Sequence, residues 1–269
     1  MQKVEIYQTK LVTLAYLYNK RGTFEHIKMD KVLIEAADPM GAAIYEYHKN
    51  GHADTLVVHS SMFEDDEIPM ETLFRKFKDM PDLEQKALKE AQGRILDVGA
   101  AAGCHSIALK EMGKSALAID ISPLSVSVMK ERGLDAHEIN FYDPSFKETF
   151  DTVLMLMNGT GIIGNLANIQ IFFARLREIL NPGGHVLIDS SDLRYLFEEE
   201  DGSMMIDLAD EYYGQVDYQM EYKDIMGEPF DWLYLDFETL AFHAEENGFT
   251  AELIAEGEHY DYLAKLSVK

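Results

Sequence analysis

Arg94-Ile95-Leu96-Asp97-Val98-Gly99-Ala100-Ala101-Ala102-Gly103 reads as a short buried strand running into a turn of tiny side chains. A helix through Lys110 follows, and then a second strand, Ser115–Ile119, that ends on Asp120. Small residues after a strand let a ligand approach the backbone, and the next helix presents free N–H groups there. A carboxylate closing the second strand can accept both hydroxyls of a ribose. Each half is weak alone, but in the order strand, turn, helix, strand, acid they describe a nucleoside site.

Working outward, Asp151–Met157, Gly184–Ile188, Ala251–Glu256 and Tyr262–Val268 continue the strand series. Helices are expected over Pro81–Gln92, Pro123–Arg132, Ile169–Leu180 and Phe237–Asn247. This alternation predicts an α/β fold, a doubly wound, Rossmann-like and mostly parallel sheet. The last two strands are joined only by a short link around Gly257-Glu258-His259, so they should form an antiparallel hairpin at the C-terminus.

Residues before about Met80 form a separate, mainly helical N-terminal extension in this reading, with 81–269 as the main domain. Leu11, Leu14, Leu17 and Tyr18 recur at helical spacing before Gly22, and Asp38-Pro39 opens a helix that Asn50-Gly51 closes. Leu56-Val57-Val58 is too short to classify. The acid run Glu64-Asp65-Asp66-Glu67 reads as a solvated loop; no His or further acid lies at a ligand spacing, so no metal site is expected.

Composition narrows the partners. Lys and Arg total 24 against 48 Asp and Glu, a formal net charge of −24. Binding to nucleic acid needs a basic surface to neutralise phosphates, and an anionic membrane repels such a chain. Neither is expected as a partner. Apolar runs are strand-sized, well short of the roughly 20 residues that span a bilayer. No signal peptide is visible, and Cys104 is the single cysteine, so a cytoplasmic protein without disulfides is expected.

The turn after the first strand fails the dinucleotide pattern G-x-G-x-x-G, because Ala101 and Cys104 stand at the second and third glycine positions. It resembles instead the D-x-G-x-G-x-G motif of the class I S-adenosylmethionine-dependent methyltransferases, as Asp97, Gly99, Ala101 and Gly103. Ala118-Ile119-Asp120-Ile121-Ser122 resembles that family's second motif, and Asn181-Pro182-Gly183-Gly184 its turn before the fifth strand. Gly248-Phe249 is similar to the lead into its sixth strand.

The resemblance implies S-adenosyl-L-methionine as cofactor and a small-molecule methyl acceptor. It implies that Gly99, Ala100, Ala101 and Gly103 line the methionine end, with Asp97 acting at the amino group. Asp120 and Ile121 would hold the ribose side, Asn140 and Phe141 the adenine. Asn158, at the end of the fourth strand, would sit near the reacting methyl. Asn158-Gly159-Thr160-Gly161 departs from the N/D-P-P-Y motif of members that methylate bases or protein amides.

Other readings of these residues stay open at this point. Asp120 can be a helix cap before Ser122-Pro123, and Asn158 a turn former beside Gly159. Cys104 and His105 read as packing and solvent contacts. Trp232, among Phe230, Leu233 and Tyr234, either lines an acceptor pocket or packs a hairpin. The N-terminal extension either covers the acceptor site, with Arg75 toward an anionic acceptor or the cofactor carboxylate, or packs behind the sheet or in a homodimer contact. Rival functions are a nicotinamide-dependent oxidoreductase, an aminopropyl transferase and a non-catalytic cofactor-binding regulator.

Overall fold

The computed structural model describes residues 32–197 and 212–269. The helix expected over Leu11–Tyr18 lies outside the described residues. In chain order the elements are α1 (Pro39–Asn50), β1 (Leu56–His59), β2 (Asp66–Ile68), α2 (Met70–Phe74), α3 (Asp82–Glu90) and β3 (Ile95–Val98). Next come α4 (Cys104–Glu111), β4 (Ala116–Asp120), α5 (Pro123–Glu131), β5 (Asp135–Glu138), β6 (Phe150–Met155), α6 (Ile169–Ile179) and β7 (Leu180–Ser191). β8 (Gln215–Tyr222), β9 (Ile225–Met226), β10 (Phe230–Leu233), α7 (Phe237–Glu246), β11 (Phe249–Glu256) and β12 (Asp261–Val268) complete the chain.

The large sheet has the order β11-β12-β7-β6-β3-β4-β5. β3 through β7 pair in parallel, whereas β12 runs antiparallel to both β7 and β11. This is the doubly wound sheet with an antiparallel C-terminal hairpin that the alternation predicts. Its central strands are buried on both sides, which is why they read as short apolar runs. One core face is built on Leu96, Val153, Phe150, Phe172 and Phe173; the other on Ile95, Leu154, Leu187, Leu88 and Leu109. The order of connection reverses between β3 and β6, so the crevice at their carboxyl ends is where such a sheet binds ligands.

A second, antiparallel sheet has the order β10-β8-β1-β2, with β9 on β8. It draws β1 and β2 from before Met80 and the remaining strands from beyond residue 214, so the two regions fold together. The strands at 56–59 and 66–68 are an addition to the helical reading of the first zone. Asp66 and Glu67 are exposed but belong to β2, because their backbone pairs with Val58 and Val57. α1 forms as expected: Asp38 caps it through Gly41 N, and Gly51 ends it at φ 74°. Leu56 and Tyr222 of this sheet join Ala43 and Ile44 of α1 in one buried cluster with Ala102, just after β3, and Val128 of α5. The smaller sheet therefore sits at the carboxyl ends of the large one. Among the described residues no helix is long and apolar enough to cross a membrane.

Candidate active site

The turn after β3 is built from two glycines with different roles. Gly99 is exposed at φ +67°, and a Cβ there would meet only Ile162 Cδ1, at 3.6 Å. Its backbone faces open space at the strand end. Gly103, at φ +79°, has no such space: a Cβ would fall 2.4 Å from Leu134 Cδ1 and 3.0 Å from Met129 Cγ. Gly103 thus lets α4 start close against the neighbouring layer, and Ala100 and Ala102 are buried beside it. Ala101 adopts φ 51°, a left-handed conformation that a side chain disfavours.

Asp120 holds that conformation. One carboxylate oxygen accepts from Ala101 N at 2.8 Å and the other from Ser122 N at 2.9 Å. Asp120 thus ties the first turn to the second. Burial, opposed by these backbone donors, pushes its carboxyl up to about 6. It also fixes the turn before α5, next to Ser122, the N-cap of that helix. Ile121 stays exposed beside it, its carbonyl accepting from Leu33 N at 2.8 Å. Behind this turn Asp38, fully buried, accepts from Ser122 Oγ at 2.6 Å.

Asp97, 2% exposed, accepts from Ser106 Oγ at 2.6 Å, and burial raises its carboxyl above the usual range. Cys104 packs in the core, its thiol pushed up to about 12 by burial. His105 is no solvent contact: it is 5% exposed and its Nε2 lies 2.9 Å from Glu84 Oε2. Glu84 also pairs with Arg75 Nη2 at 2.5 Å. Burial pushes the Glu84 carboxyl up, but His105 and Arg75 outweigh it and leave it below its usual value. Glu84 carries no signal in the sequence beyond that of an ordinary acid in the first turn of a helix.

At the β5 end, Ile139 N donates to Asp120 O at 3.0 Å, which sets Asn140 beside the Asp120 turn. Asn140 Oδ1 accepts from Tyr142 N at 2.9 Å. The Phe141 ring faces the core rather than solvent. It is buried against Tyr142 and Phe172, while its carbonyl accepts from Arg175 Nε at 2.7 Å. What Phe141 offers a ligand is its backbone.

Past β6 the chain turns through Met157 and Asn158, at φ 68° and 60°. Asp189 fixes the turn by accepting from Met157 N and Gly159 N, both at 2.9 Å. Burial pushes its carboxyl up to about 6. Asn158 is a turn former, and its Oδ1 also accepts from Ser191 Oγ at 3.0 Å. Trp232 of β10 lies on this turn: a Cβ on Gly161 would land 1.8 Å from the indole. Thr160 Oγ1 donates to Leu233 O at 2.8 Å. Trp232 packs a strand of the smaller sheet onto the β6 end, beside the crevice. A tyrosine and acid group adjoins the β7 end, where Tyr213 OH donates to Asp192 at 2.8 Å and Tyr212 OH to Asp236 at 2.6 Å.

Comparison with known proteins gives the same answer as this geometry. A family model described as a methyltransferase domain matches residues 95–184. A solved S-adenosylmethionine-dependent methyltransferase from Bacteroides fragilis, in complex with S-adenosyl-L-homocysteine, is 57% identical with a TM-score of 0.85. The match covers 89% of this chain and 98% of that one. The cypemycin N-terminal methyltransferase of a Streptomyces species is 34% identical over 103 residues, 36% of this chain and 42% of that protein. The demethylmenaquinone methyltransferase of Tropheryma whipplei is 29% identical over 99 residues, 35% of this chain and 40% of that protein. The chain spans about two fifths of the length of these two curated relatives. With the acid-ended strand, the glycine turn and a near full-length relative in agreement, the chain belongs to the S-adenosylmethionine-dependent methyltransferases.

Proposed function

We propose that this chain moves a methyl group from S-adenosylmethionine to a small-molecule acceptor at the carboxyl ends of β3, β4 and β6. The observation that carries this reading is Asp120, a strand-end carboxylate tied to the left-handed Ala101 beside the open backbone of Gly99. The donor set fits the cofactor. The Asp120 oxygens accept from the backbone of Ala101, Ser122 and Ile121, and two oxygens with two lone pairs each keep capacity for a ribose hydroxyl. The open face of Gly99 admits a ligand against the backbone, and Asp97 stands at the amino-acid end.

When bound, the cofactor supplies a methyl on a sulfonium, already activated for in-line displacement. The residues here then have to align an acceptor and keep water out. The turn of Met157 to Gly161 forms one wall, and Trp232 covers it. The smaller sheet reaches from Ala102 on the β3 side to Gly161 on the β6 side, and so acts as the cover over the acceptor site. That role falls to strands from both ends of the chain rather than to the first zone alone. The net charge of −24 disfavours nucleic-acid acceptors.

Titration calorimetry tests the reading. S-Adenosylhomocysteine should bind, with no comparable binding of NAD or NADP; tight NAD binding without a response to the sulfur nucleoside would overturn it.

A further inference from the structure

We propose that His59 is a pH-sensitive latch on the smaller sheet: charged, it clamps the connection between β1 and β2 to β8, and neutral, it releases that edge. His59 ends β1. Its Nδ1 lies 2.9 Å from Asp65 Oδ1, in the β1–β2 connection, and its Nε2 lies 3.0 Å from Glu221 Oε2 of β8. A neutral imidazole has one N–H donor and one lone pair, so it can donate to only one of two carboxylates. The other ring nitrogen would then face an acid, lone pair to lone pair. Both contacts hold together only when His59 is the imidazolium with two donors.

The surroundings give this charge its weight. The five strands of the smaller sheet carry Asp66, Glu67, Asp217, Glu221 and Asp231 but no Lys or Arg. Val57 pairs with Glu67 on one side and with Glu221 on the other, so His59, two residues on, shares a face with both acids. Opposite His59 on β8 is Gln219, which brings no charge, and Asp217 accepts from Ser61 Oγ at 2.5 Å. Lys223, just past β8, is engaged by Glu46 and Asp54. His59 is thus the one cation that these strands can place among their acids. Asp65 and Glu221 favour its imidazolium and hold its pKa above the ordinary histidine value. A group raised in this way stabilises at low pH, so the clamp is complete there and is lost as pH rises through the raised value. The smaller sheet covers the proposed acceptor site, so the latch governs how readily that cover loosens. This consequence rests on the proposed function; the latch itself rests on the contacts of His59.

The test is hydrogen exchange of the cofactor-free chain from about pH 6 to about pH 8.5, a range that brackets histidine titration, with rates corrected for the intrinsic pH dependence of amide exchange. In wild type the protection of Val57 and Val58 should fall about two- to five-fold as pH rises, the size that exposed ion pairs give, while Val153 and Leu154 of β6 stay unchanged. The His59 ring, followed by NMR, should titrate with a midpoint above the ordinary value of about 6.5. His59→Gln keeps a donor but no charge, so its β1 protection should be low throughout and no longer change with pH. Asp65→Asn removes one arm of the clamp, so the step should shrink and the midpoint fall; it decides if the glutamine variant does not fold. Exchange of β1 in wild type that ignores pH, the same step in His59→Gln, or a His59 midpoint at or below the ordinary value overturns the latch. Because no cofactor is present, a chain that fails to bind S-adenosylhomocysteine overturns the proposed function without touching this result.

Discussion

Asp38 and Ser122 stand 84 residues apart in sequence, yet the Ser122 hydroxyl donates to an Asp38 carboxylate oxygen at 2.6 Å. The same Asp38 caps α1 through Gly41 N at 2.8 Å, and the same Ser122 accepts from Ser125 N at 2.9 Å to cap α5. Two helix caps are thus joined behind the Asp120 turn. The joint fixes the segment that carries Asp38 relative to the turn that carries Asp120.

Asp38→Ala should therefore act on both stability and binding. Loss of a buried cap and of the charge-assisted bond to Ser122 should destabilise by about 1–3 kcal/mol in urea unfolding. S-Adenosylhomocysteine affinity should fall as well, since the turn that carries Asp120 loses its support. A stability loss with wild-type affinity in calorimetry would separate the joint from the site.

Asp120→Ala removes the acceptor itself. Losing a charge-assisted bond should cost about 1.5–3 kcal/mol of S-adenosylhomocysteine binding, or about ten- to hundred-fold in affinity. Asn140→Ala should cost less, since a neutral hydrogen bond contributes only about 0.5–1.5 kcal/mol. Unchanged calorimetric affinity in a folded Asp120→Ala would leave Asp120 as a cap alone.

Binding should also depend on pH. Burial pushes the Asp120 carboxyl up to about 6, and only the ionised form accepts from both ribose hydroxyls. The ligand therefore favours the deprotonated chain. Affinity should be full above that value and fall as pH drops through it, with proton release on binding. Calorimetry of Asp120→Asn across the same range should give weaker binding and a flatter profile, the remaining slope coming from groups such as Asp97.

The two glycines of the β3 turn should separate in measurement. Gly103→Ala forces a Cβ into Leu134 at a positive φ, so overpacking alone should destabilise by about 1–3 kcal/mol in urea. Gly99→Ala meets only Ile162 at contact distance, so its larger effect should be on S-adenosylhomocysteine affinity. Equal unfolding losses with equal affinities would contradict the division of roles.

Gly161→Ala should move Trp232. The new methyl would overlap the indole, which is the single tryptophan of the chain, so intrinsic fluorescence reports this contact directly. A red-shifted emission maximum is expected, together with reduced methyl transfer and near wild-type S-adenosylhomocysteine binding. An unshifted spectrum would show that the turn absorbs the methyl without moving β10.

The parallel core was legible because β3, β4, β6 and β7 are buried apolar runs punctuated by Gly and Pro, and because Asp120 ends a strand. β1 and β2 were not, being too short to show a period. β8 did carry a signal: Val216, Tyr218, Met220 and Tyr222 alternate with Asp217, Gln219 and Glu221, a half-buried strand pattern. Its partners β9 and β10 follow close behind it, but β1 lies some 160 residues away, so no local signal joined the two halves of the sheet. The inward ring of Phe141 depends on α6 supplying Phe172 and Arg175 beside it. The Arg75, Glu84 and His105 group joins three segments, and no spacing rule links them.

The pairing of Val57 with Glu221 has a consequence for how the chain assembles. Strands β3 through β7 can close on one another as each is made, but β1 must wait until these five of the seven strands of the large sheet lie between it and its partner. Such long-range pairing comes late in folding, because loop closure is paid in entropy before contacts repay it. The short ladders β1–β2 and β1–β8 also hold few hydrogen bonds, so they belong among the first to open in the native state. Amides of Val57 and Val58 should exchange with deuterium sooner than those of Val153 and Leu154, and breathing of that edge would give reactants a way in and products a way out.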